Sequence, residues 1–250
     1  MSKFSKKPIL VEKKYLIPFI AITSMFFLWG VANDVTNPMV SAFKKVMPEL
    51  SNFQAALVQL AFYGGYGTMA IPAALFIRKY NYKSGILIGL LLYAIGAILF
   101  WPAAVYEQFT FFLMSLYILT FGLAFLETTA NPFILSLGDS RTATQRLNLS
   151  QAFNPIGSLM GMAIAQLIII ENLRSDDYSP DAYSALSPDQ IAFIRQEDLN
   201  IISEVYVGLG ILIFAVMFVI FFIKIPGKDE KNKLSVKENI NILRRNKRYY

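Results

Sequence analysis

The sequence predicts an all-α membrane protein, a bundle of six transmembrane helices. Three observations carry that prediction. The chain is 55% hydrophobic and 14% aromatic but only 16% charged, whereas soluble domains carry about 25% charged residues. Apolar runs recur that are long enough to cross the ~30 Å hydrocarbon layer as helices of about 20 residues. The basic residues gather at the flanks of those runs, nine of the 23 lying from Lys224 onward. Backbone groups in lipid must bond internally, so helices are the natural form of such runs.

Residues 1–14 form a Lys-rich tail. The first span, 15–40, is free of charge from Tyr15 to Ala32 and continues through Asp34. It is too long for the apolar core of a cleavable signal and lacks a small-residue cleavage site. The further spans are 55–77, 85–104, 109–137 (which passes Glu127), 147–170 and 205–223, giving a transmembrane domain over 15–224. The loop 171–200 is acidic. Within it, Ser187-Pro188-Asp189-Gln190 has the form of a capping box with Pro in the first turn, and reads as the start of a short surface helix. The segment 225–250 reads as a cytoplasmic linker toward a second half. With the N-terminus inside, every Lys and Arg except Lys44, Lys45, Arg174 and Arg195 falls on the inner side, which makes both termini cytoplasmic.

There is no cysteine and no histidine. A disulfide scaffold, a Cys or His metal site, a thiol nucleophile and an imidazole base are therefore all excluded. No nucleophile–base pair and no phosphate-binding glycine loop appears, so the chain is not expected to be an enzyme, to hold a metal or to carry a cofactor. The net charge of +6 does not point to nucleic acid, because no basic stripe is interleaved with aromatics.

The spans differ in polarity. The third and sixth carry almost no polar side chain and suit lipid-facing support. The other four carry polar residues at helical spacing: Gly30, Asp34, Asn37 and Ser41 in the first; Gln59, Tyr63 and Tyr66 in the second; Thr120, Ala124, Glu127 and Asn131 in the fourth; Asn148, Gln151 and Asn154 in the fifth. Residues three or four apart stack on one side of a helix, and four polar stripes in a bilayer are best satisfied by facing one wet cavity. Asp34 and Glu127 are carboxylates within spans, each costing at least about 2.5 kcal/mol at a helix centre. No cation lies within a span to neutralise them, so either is fit to load and release a proton. Trp29 and Tyr63, beside the stripes, are the best placed rings to stack on a bound ligand. Gly64, Gly65, Gly67, Gly157 and Gly161 are expected to permit close helix contact.

The acids sit in similar surroundings. Asp34-Val35-Thr36-Asn37-Pro38 and Glu127-Thr128-Thr129-Ala130-Asn131-Pro132 both read acid, Thr, Asn-Pro. They occupy the first helices of two successive three-helix units, as in secondary transporters built from 3+3 repeats with broken helices at the binding site. A third Asn-Pro occurs at Asn154-Pro155.

Four strings carry a more specific likeness: Phe27-Leu28-Trp29-Gly30-Val31-Ala32-Asn33, Phe100-Trp101-Pro102-Ala103-Ala104, Leu126-Glu127-Thr128-Thr129-Ala130-Asn131-Pro132-Phe133, and Arg146-Leu147-Asn148-Leu149-Ser150-Gln151-Ala152-Phe153-Asn154. The sequence resembles the L-fucose:proton symporter family of the major facilitator superfamily, from about Leu16 into the tail. The last two strings favour the fucose branch over the glucose/galactose branch. The resemblance implies one half of a two-half transporter, here the N-terminal half, made of 3+3 inverted repeats, with sugar and proton sites between the halves. It implies sugar contact by the helix-four acid, matched by Glu127, and by a helix-five Gln, matched by Gln151.

The helix-one acid of the family aligns with Asn37, an amide here, while Asp34 lies one turn earlier on the same face. The loop Arg78-Lys79-Tyr80-Asn81-Tyr82-Lys83-Ser84-Gly85 keeps the cations and glycine of the superfamily loop but lacks its Asp. The stripes and the resemblance together give Asn33, Asn37, Glu127, Asn131, Asn148, Gln151 and Asn154 as candidate sugar-binding residues. Asp34 and Glu127 are the candidate proton-coupling groups. The expected partners are a monosaccharide, a proton, the lipid of the inner membrane, and a second six-helix half or a homodimer. Two readings stay open: a fragment of a longer transporter, or a half-size protein that must pair. A non-transporting remnant or sugar-sensing half is the alternative to symport.

Overall fold

The computed structural model describes residues 9–223. Most of the 1–14 tail and the whole 225–250 segment lie outside the described residues. The regular elements among the described residues are all helical. In chain order they are α1 (Leu16–Thr36), α2 (Met39–Val46), α3 (Asn52–Lys79), α4 (Tyr82–Ile98), α5 (Phe100–Val105), α6 (Phe109–Ser136), α7 (Ala143–Gln151), α8 (Phe153–Ile164), α9 (Pro180–Ser184) and α10 (Pro188–Phe222). They assemble into six helical stretches long and apolar enough to cross a membrane: α1–α2, α3, α4–α5, α6, α7–α8 with its extension to Asn172, and α10.

Local chemistry sets the starts and breaks. Ser51 caps α3 by accepting from the Gln54 amide, and the Ser51 amide donates to Gln54 Oε1 at 2.9 Å. Asn81 caps α4 by accepting from the Ser84 amide at 2.8 Å. Proline removes a ladder bond and crowds the preceding turn. Pro38 lies between α1 and α2, Pro102 follows the α4–α5 break, and Pro155 follows the α7–α8 break. Pro72 and Pro132, by contrast, lie inside the uninterrupted α3 and α6. The fifth span leaves α-geometry again over Ala165–Ile169, a π turn, where the side chain Nδ2 of Asn172 donates to the Leu167 and Ile168 carbonyls at 2.8 and 3.2 Å.

Two expectations are corrected. The Ser187–Gln190 capping box is present, but the helix it opens is no short surface helix. It runs unbroken for 35 residues into the sixth span, roughly 50 Å at 1.5 Å per residue, because no Gly or Pro interrupts 189–207. The buried carboxylate of Asp198 pins the preceding loop to this extension, accepting from the Arg174 and Ser175 amides at 2.7 and 3.1 Å. Second, the third span is not mainly lipid-facing. Half of its apolar window is buried, as in the first span, against 22% for the sixth. It packs on α6 and α10, and Gly89 lies against the backbone of Gly122.

The first span packs chiefly on the fifth and the second on the fourth. Each unit's first helix thus packs on the other unit's second, the exchange expected of 3+3 repeats. The α1–α8 seam is backbone against backbone. A Cβ at Gly30 would meet the Asn154 carbonyl oxygen at 2.1 Å, one at Gly157 the Phe27 carbonyl oxygen at 1.9 Å, and one at Gly161 that of Val31 at 2.5 Å. Gly65 is as tight against Thr120, whereas Gly64 and Gly67 have room for a side chain.

At the N-terminal end of the bundle, Arg146 is fully buried. Its guanidinium donates to the carbonyls of Ile134, Leu135, Asp139 and Leu10 and to Thr142 Oγ1, at 2.7–3.3 Å. These include carbonyls in the last turn of α6, where intrahelical donors run out and a cation is also favoured by the helix dipole. At the same end Lys83 Nζ donates to the carbonyls of Phe221, in the last turn of α10, and of Ile223, which caps it, at 2.6 and 2.9 Å. The opposite end is laced by Lys45–Asp176 at 2.5 Å, Arg195–Glu49 at 3.1 Å and an Arg174–Glu197 pair.

Candidate functional site

The polar stripes meet where α1, α3 and α6 face one another. A cavity of about 370 Å³ is lined by Trp29, Asn33, Asp34 and Asn37 of α1 and its end, by Phe62, Tyr63 and Tyr66 of α3, and by Glu127 of α6. A second, of about 360 Å³, shares Tyr66 and Glu127 and adds Ala70, Ala124, Thr128, Asn131 and Pro132. Each is at the small end of the ~300–1,000 Å³ of ligand pockets. Asp34 and Glu127, far apart in sequence, therefore border one space.

The aromatic wall is ordered by hydrogen bonding. Trp29 Nε1 donates to Tyr66 Oη at 2.7 Å, and Phe62 meets Tyr66 edge-on with centroids 5.6 Å apart. Tyr63 is 62% exposed, meets Phe62 edge-on at 5.4 Å, and has no side-chain hydrogen bond among the described residues. Tyr66 touches both cavities and holds Trp29. The spacing placed it on the α3 stripe but gave no sign of its junction role. Phe62 had no signal, being one apolar residue among many.

The two acids are held differently. Asn37 Nδ2 donates to Asp34 Oδ1 at 2.7 Å, so the amide clasps the acid one turn earlier on the same face. Among the described residues, the Glu127 carboxylate has no hydrogen-bond partner, and only its backbone carbonyl accepts, from Asn131 Nδ2 at 3.2 Å. Asn131 Oδ1 in turn accepts from Gln151 Nε2 at 3.1 Å, joining the fourth and fifth spans. Asn33 Oδ1 is buried with no partner among the described residues, an acceptor left for a ligand hydroxyl or water.

The other candidates stand outside these linings. Asn154 Nδ2 donates to the Phe26 carbonyl at 3.2 Å, a tie within the α1–α8 seam. Asn148 is exposed on α7. Gly30, on the stripe by spacing, is turned to α8. Thr120 is buried against Gly65. No cluster of metal-ligating side chains occurs among the described residues.

Residues 16–249 match the family described as Major Facilitator Superfamily. The chain is 54% identical over 96% of its length to the L-fucose-proton symporter of Haemophilus influenzae, and 38% identical over 91% to that of Escherichia coli. It is 35% identical over 64% of its length to a glucose/galactose transporter of Brucella abortus. A crystal structure of a Major Facilitator Superfamily transporter, FucP, in the outward conformation superposes with a TM-score of 0.80 and 36% identity, covering 93% of this chain and 57% of that one. The chain spans about half the length of the curated relatives it matches, 57% of the H. influenzae protein and 51% of the E. coli protein.

Proposed function

The chain belongs to the Major Facilitator Superfamily, and from that premise we propose that it supplies the N-terminal half of a symporter moving L-fucose or a close relative with a proton across the inner membrane. The observation that carries the reading is one cavity bordered by two carboxylates, the unpartnered Asn33 Oδ1 and an ordered aromatic wall. Sugar hydroxyls are donors and acceptors at once. Asn33 Oδ1 and the Glu127 carboxylate accept from them, and Tyr63 offers a face for the ring's C–H surface. Trp29 and Tyr66, fixed on each other, hold the wall's shape.

Asp34 takes the helix-one proton role. A proton on it removes one of two negative charges facing the same cleft, while Asn37 keeps the group in register. Glu127 mainly shapes the sugar site. Sugar and proton then bias the same pair of inward and outward states, which makes their coupling reciprocal. The second six-helix half completes the site, and both termini face the cytoplasm.

The test joins this chain to the complementary half of the H. influenzae relative in proteoliposomes. Labelled L-fucose should accumulate when a proton gradient is imposed and leak out when it is collapsed. Uptake indifferent to the gradient, or equal for an unrelated sugar, overturns the reading. Orientation is read separately. The chain has no cysteine, so single cysteines at Ser140 and at Asp177 should label from opposite faces in intact cells. Labelling of both from the same face would sink the topology.

A further inference from the structure

A larger groove, of about 930 Å³, opens on the other side of the bundle, between the end of the fifth span and α10. It is polar at one end and apolar at the other. The rim holds Asn172, Arg174, Glu197, Asn200 and Glu204, and the deeper walls are Ile164, Ile168, Leu209 and Leu212. Glu197, Ile201, Glu204, Gly208 and Leu212 recur every three or four residues, so one face of α10 forms the length of the groove. Glu197 to Leu212 measures about 22 Å at 1.5 Å per residue, the thickness of one leaflet of a ~40–45 Å bilayer, headgroups included.

Charge and space narrow the occupant. Arg174 is ion-paired with Glu197, while Glu204 is exposed and has no partner among the described residues. The rim therefore carries one uncompensated negative charge, placed directly before the apolar run that begins at Val205. A carboxylate at that depth is stabilised by a cation that donates hydrogen bonds. Below it, a Cβ on Gly208 would meet nothing within 4 Å, leaving an open channel between apolar walls.

We propose that this groove is a binding site for a phospholipid with a primary-amine headgroup, phosphatidylethanolamine, from the leaflet opposite the N-terminal end of the bundle. The ammonium sits on Glu204, the phosphate lies toward Arg174, and one acyl chain fills the channel beside Gly208. A choline headgroup offers no N–H to Glu204, and an anionic headgroup is repelled by it. The site is independent of the sugar cavity, so sugar–proton symport and lipid recognition stand or fall separately.

The purified chain, stripped of lipid in detergent, is titrated by native mass spectrometry with phosphatidylethanolamine, phosphatidylcholine and phosphatidylglycerol of identical acyl chains. Phosphatidylethanolamine should bind about ten-fold more tightly than the other two. Glu204→Gln should bring it level with phosphatidylcholine, and Glu204→Asp should keep the preference. Gly208→Leu, whose added Cβ meets no atom, should weaken all three lipids several-fold at unchanged helix content by circular dichroism, and reads the same site should Glu204→Gln fail to fold. Equal binding of ethanolamine and choline lipids by the unaltered chain, an ethanolamine preference that survives Glu204→Gln, or a cross-link between two chains through a cysteine at Gly208 showing that a second copy covers the groove would each overturn the proposal.

Discussion

The segments Asp34–Pro38 and Glu127–Pro132 have nearly the same sequence and different structures. In the first, asparagine follows the acid by three residues; in the second, by four. At three, Asn37 reaches the Asp34 carboxylate. At four, Asn131 reaches the Glu127 backbone carbonyl, one residue before the Thr128 carbonyl that Pro132 leaves without its donor. Accordingly the first span breaks after Thr36 and resumes at Met39, while α6 runs through Pro132 to Ser136. One residue of spacing thus decides which acid is clasped and which is free, and which helix bends at the cavity.

The largest expected effect separates the acids by role. In the joined two-half protein, Asp34→Asn should abolish gradient-driven accumulation yet keep exchange of sugar between the two sides, since loaded carriers still reorient when the site is permanently neutral. Moving the acid back, with Asn37→Asp in the Asp34→Asn background, should restore accumulation. Full proton-driven uptake by Asp34→Asn alone would erase the distinction. Glu127→Gln comes next. It removes a charged acceptor worth roughly 1.5–3 kcal/mol, so sugar binding followed by Trp29 fluorescence should weaken by about 10- to 100-fold and exchange should fall with it.

The amides should differ in stability as well. Asn131→Ala loses bonds to both Glu127 and Gln151 and should cost about 1–2 kcal/mol in detergent unfolding, at about 1 kcal/mol per bond. Asn37→Ala loses one exposed bond and should cost under about 0.5 kcal/mol. The reverse order would contradict the assignment of Asn131 to the backbone.

The smallest effect lies past the end of α6. Hydrogen bonds from the Arg141 side chain and amide hold the Asp139 carboxyl down to about 2. A folded value below the unfolded one means the contribution is complete at neutral pH and fades only as pH falls from about 4 toward 2. Hydrogen exchange in the 139–142 turn should be insensitive to pH above about 5 once corrected for intrinsic rate, and Asp139→Asn should raise it.

Much of this was readable from residues alone. Long apolar runs gave the span count, polar residues at helical spacing gave the lining from Asp34, Tyr63, Tyr66 and Glu127, and the Ser187–Gln190 pattern gave a true helix start. What failed did so where periodicity carries no information. The third span is apolar all round, so its pattern cannot say which neighbour buries it; Gly85, Gly89 and Gly96 on its face toward α6 were the available sign. A capping box marks where a helix begins and says nothing of where it stops, and the absence of any breaker over 189–207 was the clue for α10. Asn154 and Arg146 spend their donors on carbonyls distant in sequence, which no local pattern announces.

The α1–α8 seam has a consequence for how such a protein diversifies. Gly30, Gly157 and Gly161 each admit no larger residue without displacing main chain. Yet Trp29, Asn33 and Asp34, interleaved with the seam residues Phe27, Gly30 and Val31 on the same helix, project into open space. One flank of α1 is thus frozen by sterics, while changes on the other meet no main chain and act on the cavity instead. Preference for one cargo over another can drift through single substitutions on the open flank, with the scaffold that positions them inherited unchanged.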